Sequence, residues 1–121
     1  MEEKRYDLEE RTFAFAKRVA EFCNKLPRTP SNIEYVKQVV RSSGSVGANY
    51  IEANESLGKK DFGMRVKISR KEAKETEFWL RLIKETNANG LHSEAEALMD
   101  EASQLRKILS TILLKTERAT P

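Results

Sequence analysis

The stretch 41–53, RSSGSVGANYIEA, constrains the fold of this chain more than any other part of it. Its two glycines and three serines are compatible with a flexible phosphate-binding loop or with a helix that has an unusually narrow side. A phosphate-binding loop needs Gly, four further residues and then Gly-Lys-Ser or Gly-Lys-Thr after a strand, and the sequence lacks this motif. A helix is favoured, because one side continues through the stretch in alternating steps of four and three: Val36, Val40, Ser43, Gly47, Tyr50, Asn54 and Leu57.

The glycines inside this predicted helix need compensation, since each costs about 1 kcal/mol relative to alanine. The middle of the third helix also has small residues, Ser69 and Ala73, on its inner side. We therefore expect the second and third helices to approach each other closely at this level.

Three further segments have the same helical periodicity, and prolines and glycine-containing turns separate them. The predicted helices cover 7–25, 32–57, 62–87 and 94–117 within a single domain, 1–121. Four side chains are expected to cap their N-termini: Asp7, Ser31, Asp61 and Ser93. Gly90 is expected in a left-handed conformation after the third helix. Because the connections are short, we expect an all-α, antiparallel up-down-up-down four-helix bundle.

The composition suits a helical protein of the cytoplasm. No stretch approaches the roughly 18 to 20 consecutive apolar residues that span a membrane, and the charged N-terminal stretch MEEKRYDLEERT lacks the apolar segment of a secretory signal. Cys23 is the only cysteine. We expect it to pack as a small hydrophobic residue in a reducing compartment.

Positive charge is concentrated in one segment. The net charge of the chain is +3, whereas residues 59–84 carry nine basic and four acidic side chains. On a helical wheel, five of the basic residues share one flank of the third helix, which we name the basic flank: Lys59, Lys67, Arg70, Lys74 and Arg81. Such a row suits contacts with RNA phosphates. An ordinary solvated helix face would give the same pattern.

The third helix is apolar on two sides. Its inner side comprises Phe62, Val66, Ser69, Ala73, Thr76, Leu80 and Ile83. A second apolar group lies well outside that side: Ile68, Phe78, Trp79 and Leu82. A helix that is apolar on two sides must bury both, and an exposed patch with a tryptophan is typical of an interface. We therefore predict a homo-oligomer with Trp79 between subunits. The alternative is that the third helix is rotated or more deeply buried within the monomer.

At SSGSVGANYIEA and KEAKETEFWLRLIKE the chain resembles the bacterial four-helix-bundle proteins that include those encoded by intervening sequences within 23S ribosomal RNA genes. The resemblance covers nearly the whole chain, from YDLEERTFAFAKRV to LRKILSTILL. The family's small-residue run is followed by Asn, two residues and Glu, which fall on Asn49 and Glu52. The glycine that usually comes next is Ala53 here. The family's paired acidic residues correspond to Glu75 and Glu77.

The resemblance implies a bundle that assembles as a ring-like homopentamer and that has a link to RNA. A related branch is similar to the accessory proteins of diversity-generating retroelements, which cooperate with a reverse transcriptase and RNA. The family has no established catalytic residues, so the resemblance implies none. Asn49 and Glu52 are adjacent on the helix surface. Either a polar contact between helices or subunits, or a contact with a ligand or RNA, would explain them.

Enzymatic chemistry has little support in the residues. His92 is the only histidine and is expected to be a solvent-exposed turn residue. A di-iron bundle needs Glu-x-x-His on two helices, and Cys23 with His92 cannot hold zinc. No serine, lysine or glutamate is distinguished as a nucleophile or base. We therefore predict no catalytic residue, metal or cofactor. The expected function is that of a non-enzymatic adaptor for RNA or a ribonucleoprotein. A protein-binding scaffold without nucleic-acid contact is the first alternative, and a small hydrolase or nuclease is the second.

Overall fold

The computed structural model describes residues 2–118, and the side chains of residues 7–118. It contains four long helices: α1 at Glu2–Cys23, α2 at Pro30–Asn54, α3 at Lys59–Thr86 and α4 at His92–Arg118. A 3-10 turn at Asn89–Leu91 precedes α4, and there is no strand in the described part of the chain. The predicted all-α class is confirmed. None of these helices is apolar enough over a sufficient length to cross a membrane.

Side-chain contacts show that consecutive helices run in opposite directions. Between α2 and α3, the hydrogen-bonded pairs occur in reverse order along the two helices: Asn32 with Asn87, Ser42 with Thr76, and Asn49 with Arg65. Between α3 and α4, the order is again reversed: Lys84 with Glu96, Glu77 with Arg106, and Arg70 with Ser110. α1 and the turn after it contact the other two helices: Glu9 contacts Asn54 of α2, and Arg11 and Lys25 contact Glu101 and Glu94 of α4, again in reverse order. The helices therefore form the up-down-up-down bundle that the short connections predict.

The buried core contains the inner side predicted for α3. Its buried residues are Val66, Ser69, Ala73, Thr76, Leu80 and Ile83, and Phe62 is half-buried. The side predicted for α2 is partly wrong. Val40 is 42% exposed, and Leu57 lies beyond the end of the helix and is fully exposed. The residues that α2 does bury are Asn32, Val39, Ser42, Ser43, Val46, Gly47, Tyr50 and Ala53.

The stretch 41–53 is helical throughout, as its spacing predicts. Its two glycines have different surroundings. A Cβ atom at Gly47 would lie 2.9 Å from Oγ1 of Thr12 in α1, whereas one at Gly44 would meet nothing within 4 Å. Close approach to α3 is achieved elsewhere, because the Ser69 hydroxyl donates a 2.6 Å hydrogen bond to the Val46 carbonyl oxygen. The expected compensation by α3 is therefore wrong for Gly47, whose neighbour is α1.

The predicted helix N-termini need correction. α1 begins at Glu2, so Asp7 lies inside it. α2 begins at Pro30. Its N-terminal cap is Thr29 rather than Ser31, because the Thr29 hydroxyl accepts a 3.1 Å hydrogen bond from the backbone N–H of Asn32.

The other two helices also begin before their expected caps. α3 has no side-chain cap, and Asp61 stands in its first turn. Ser93 follows the first residue of α4. Gly90 has no left-handed conformation, because none of the glycines, all of which lie in the described part, has a positive φ.

Candidate nucleic-acid interface

The basic flank lies on the side of α3 that faces α4. Arg70 is half-buried there, and its guanidinium donates a 3.4 Å hydrogen bond to Oγ of Ser110 in α4. The other four members are exposed: Lys59, Lys67, Lys74 and Arg81. At a rise of about 1.5 Å per residue, the flank extends over roughly 33 Å of helix. It is long enough to follow several phosphates of a nucleic acid strand.

Most of the basic flank has no acidic partner. Within residues 7–118, no salt bridge includes Lys67, Arg70, Lys74 or Arg81. The carboxylates of Glu72, Glu75 and Glu77 are close to these cations in sequence, but all three pair with arginines of other helices. In the folded bundle, these three carboxylates are therefore engaged by arginines of other helices and do not pair with the cations of the basic flank.

Glu75 points to the opposite side of α3, toward α2. It forms an ion pair with Arg41, which also contacts Glu72 at 3.2 Å. The indole nitrogen of Trp79 donates a 2.9 Å hydrogen bond to the same Glu75 carboxylate. The indole N–H, followed by the Arg41 guanidinium, holds the pKa of Glu75 below its usual value. The hydrogen bond with Glu75 also raises the pKa of Arg41.

Glu77 points toward α4. Nε of Arg106 donates a 2.7 Å hydrogen bond to its carboxylate, and the same guanidinium reaches Oγ of Ser103 at 3.5 Å. The hydrogen bond with Glu77 raises the pKa of Arg106. The two acidic residues of the family motif therefore connect α3 to two different neighbouring helices.

Asn49 and Glu52 share one partner on α3. A guanidinium nitrogen of Arg65 lies 3.4 Å from Oδ1 of Asn49 and 3.2 Å from Oε1 of Glu52. The amide of Asn49 also donates to the Ser45 carbonyl oxygen one turn earlier. Asn49 and Glu52 thus form a polar contact between α2 and α3 within one chain, which is one of the two explanations that the sequence leaves open.

Three arginines that contact these carboxylates were not predicted from the sequence: Arg41, Arg65 and Arg106. Each pairs with carboxylates on another helix, more than ten residues away along the chain. The only signal in the sequence is the group of glutamates at 72, 75 and 77 within an otherwise basic segment. Such a group indicates that cations from elsewhere are needed, but not which ones.

The second apolar group of α3 is partly covered within the chain. Trp79 is half-buried against Tyr35 of α2, with 6.3 Å between the ring centroids. Ile68 and Leu82 are also half-buried, whereas Phe78 is 55% exposed. This placement of Trp79 is closer to the alternative of deeper burial within the monomer. Contact of these residues with another subunit stays a prediction.

The cysteine, the histidine and a surface cavity are the other features that could take part in chemistry, and none of them includes a residue of the basic flank. Cys23 is buried in α1, as expected for a hydrophobic role, and burial raises its pKa to about 11. A surface cavity of about 340 Å³ includes Cys23 and Asn32 and is lined by α1, α2 and their connection. His92 is half-buried rather than solvent-exposed, with Nε2 at 3.4 Å from the Asn87 carbonyl oxygen. In the described part of the chain, no group of His, Cys, Asp and Glu could hold a metal ion.

The fold and this pattern of contacts can be compared with known proteins. The family model described as 23S rRNA-intervening sequence protein matches residues 4–111. The chain belongs to the 23S rRNA-intervening sequence protein family. The resemblance seen in the sequence is thereby confirmed, and the contacts of Asn49, Glu52, Glu75 and Glu77 describe one member of this family.

A solved structure is similar to this family member. It is a protein of unknown function from the S23 ribosomal protein family of Bacteroides thetaiotaomicron. The two chains are 28% identical, the match covers 91% of this chain and 97% of the other, and the TM-score is 0.80. No curated protein matches this chain. The family model and the solved structure therefore identify the family and the fold, and neither of them assigns an activity.

Proposed function

We propose that this protein is a non-enzymatic cytoplasmic adaptor that binds RNA through the basic flank of α3. The observation that supports this most strongly is the row of Lys67, Arg70, Lys74 and Arg81, which has no acidic partner among the described residues. Unpaired cations in a row attract a polyanion strongly, because binding releases the counterions that the polyanion holds. The family description refers to 23S rRNA, and among polyanions we therefore propose RNA as the ligand.

The chemistry of the flank suits the phosphate backbone rather than the edges of bases. Three of its five members are lysines, whose ammonium groups act as point charges on flexible stems and impose little directional selection on a ligand. Contacts to phosphates fix the position of a nucleic acid and carry no direct sequence information. We therefore expect binding that depends strongly on salt and weakly on RNA sequence.

We also propose that the protein forms a homo-oligomer through the outer side of α3, with Ile68, Trp79 and Leu82 at the contact. The adjacent Met64 is 51% exposed, which adds to the apolar surface available there. The resemblance implies a pentamer, and a ring would repeat the basic flank in every subunit and raise the affinity for RNA through multivalency. A ribonucleoprotein, including one with a reverse transcriptase, would be a suitable partner for such an assembly.

Light scattering tests the oligomer. The native protein should have several times the 13.9 kDa mass of one chain. Leu82→Glu should lower that mass, because a carboxylate would be buried at the contact. Leu82 is preferable to Trp79 for this test, since Trp79 also packs within its own chain. A native protein that is monomeric at micromolar concentration would contradict this part of the proposal.

A protein-binding scaffold without nucleic-acid contact is the second candidate function. It is favoured by exposed apolar side chains on other helices, including Phe13 of α1 at 66% exposure and Ile51 of α2 at 46%. Such surfaces can bind protein partners. The scaffold has no need of the basic flank, so variants of the flank separate the two functions.

The decisive variant changes Lys67, Arg70 and Lys74 together to glutamate. We expect its affinity for RNA, measured by fluorescence anisotropy, to fall at least about 100-fold, because three phosphate contacts become repulsive. Its control changes Lys17, Arg18 and Arg28 to glutamate, which alters the net charge equally at exposed positions outside α3.

The control should retain most of the affinity. Circular dichroism and light scattering of both variants would verify that fold and mass are unchanged. Unchanged RNA affinity in the flank variant would refute the proposed function. An equal loss in both variants would show that total charge, and not the basic flank, determines binding.

A further inference from the structure

Phe78 is an exposed aromatic ring within the positive surface of α3. It is 55% exposed. Lys74 lies four residues before it and Arg81 three residues after it, and these are adjacent positions on a helix surface. Both cations are exposed, and neither forms a salt bridge with any described residue. The ring therefore has a free cation on either side of it along the helix.

The ring of Phe78 has an ordered support. The rings of Phe78 and Trp79 contact each other in a T-shaped arrangement, with 5.1 Å between centroids and 76° between planes. Trp79 is in turn fixed by Tyr35 and by its 2.9 Å hydrogen bond to Glu75, which Arg41 holds from α2. An exposed phenylalanine on a helix would ordinarily keep its rotational freedom. Here a series of contacts that reaches α2 restrains the ring and leaves more than half of its surface open.

We propose that Phe78 is a stacking platform for an unpaired base of RNA, with Lys74 and Arg81 binding the phosphates on either side. This inference rests on the proposed RNA binding, and it narrows the ligand to RNA with single-stranded or splayed-out nucleotides. Proteins bind single strands by combining cations that follow the backbone with aromatic rings on which bases stack. Bases inside a duplex are already stacked on each other, so a duplex cannot use the ring.

Charge complementarity favours RNA over a second copy of the chain as the occupant. A protein interface over Phe78 would also cover Lys74 and Arg81, so it would have to supply an acidic partner for each of them. Removing an unpaired charge from water is strongly unfavourable. A strand of RNA brings one phosphate for every base, so it supplies the ring and both cations with partners at the same time.

The inference is tested with Phe78→Ala and two RNA probes, an unstructured adenosine oligonucleotide and a blunt duplex of the same length. We expect Phe78→Ala to weaken binding of the single strand about 5- to 100-fold and to leave duplex binding unchanged. Phe78→Tyr should restore single-strand affinity, because it keeps the ring. Phe13→Ala is the matched control, since it removes another exposed phenylalanine, on α1, and should change neither affinity.

Trp79 gives a second readout because it is the only tryptophan and it contacts Phe78. Its fluorescence should change when the single strand binds, and not when the duplex binds.

Single-strand affinity that is unchanged in Phe78→Ala but lost in the triple glutamate variant would overturn the platform and leave phosphate binding intact. Equal losses for single strand and duplex would also overturn it. A fall in molecular mass on Phe78→Ala would assign the ring to a protein interface instead. If neither Phe78→Ala nor the triple variant changes RNA affinity, the proposed function itself fails.

Discussion

The two flanks of α3 both carry charges of both signs, but they differ in how many of those charges form ion pairs with neighbouring helices. On the flank toward α2, Arg65, Glu72 and Glu75 each have a partner of opposite charge on that helix. On the flank toward α4, Glu77 and Lys84 have such partners, whereas the row from Lys67 to Arg81 has none among the described residues. The charges on the flank toward α2 therefore form ion pairs that hold the bundle together. The cations from Lys67 to Arg81 stay available to bind a ligand.

This difference shows that the net charge of a segment says little about where a ligand can bind. Residues 59–84 have a large positive excess. Arginines from α2 and α4 form ion pairs with three of its four acidic residues, Glu72, Glu75 and Glu77. The excess is thereby carried by the exposed Lys67, Lys74 and Arg81 and by the half-buried Arg70, whose charges are not used in ion pairs with described residues.

Alanine substitutions on the two flanks should have different effects on stability. Arg41→Ala removes the cation shared by Glu72 and Glu75 and leaves two like charges together. We expect the free energy of unfolding, measured by urea denaturation, to fall by about 1 kcal/mol, a modest value because Arg41 is partly exposed and screened by solvent. Lys74→Ala has no ion pair to break among described residues, and it should change stability by less than about 0.5 kcal/mol. Equal effects of the two substitutions would remove the distinction between the flanks.

A smaller effect is expected from the titration of Glu75. Its pKa is lower in the folded chain than in the unfolded chain, chiefly because the Trp79 indole and the Arg41 guanidinium favour the carboxylate. Its contribution to stability is therefore fully present above the ordinary glutamate pKa of 4.5 and is lost as the pH falls through the lower, folded value.

Glu75→Gln measures this contribution. The variant should be less stable than the native protein at pH 7. The difference should shrink as the pH falls below 4.5 and vanish only below the lower pKa of the folded chain, where the native carboxylate becomes protonated. The readout is the urea midpoint measured across the pH range. A difference that stays constant from neutral to strongly acidic pH would show that the charge of Glu75 is irrelevant to the fold.

The helices themselves could be predicted because helical periodicity is local. The inner side of α3 follows from the spacing of Val66, Ala73 and Leu80, which depends only on the geometry of one helix. The sequence also indicates which cations share a flank, for the same reason. Helix starts were less predictable, because several residues near each start can cap it. At α2, for example, Thr29 caps the helix and Pro30 occupies its first position, where a missing amide hydrogen is harmless.

The partners of those side chains could not be predicted, because they depend on how whole helices are arranged. Gly47 meets Thr12 of α1 rather than a residue of α3. Trp79 has an outward position on the wheel, yet Tyr35 of α2 covers part of it. In each case a side chain of another helix determines the surroundings of the residue. The spacing of residues along one helix cannot identify such a neighbour.

The salt dependence of RNA affinity measures how many phosphates the basic flank contacts. The measurement compares the native protein with a variant in which Lys67, Arg70 and Lys74 are all alanine, using a single-stranded RNA and a series of salt concentrations. Each lost phosphate contact reduces the log–log slope by about 0.7, so the slope should be shallower by about 2 in the variant. Arg41→Ala should keep the native slope. A variant slope equal to that of the native protein would contradict the account.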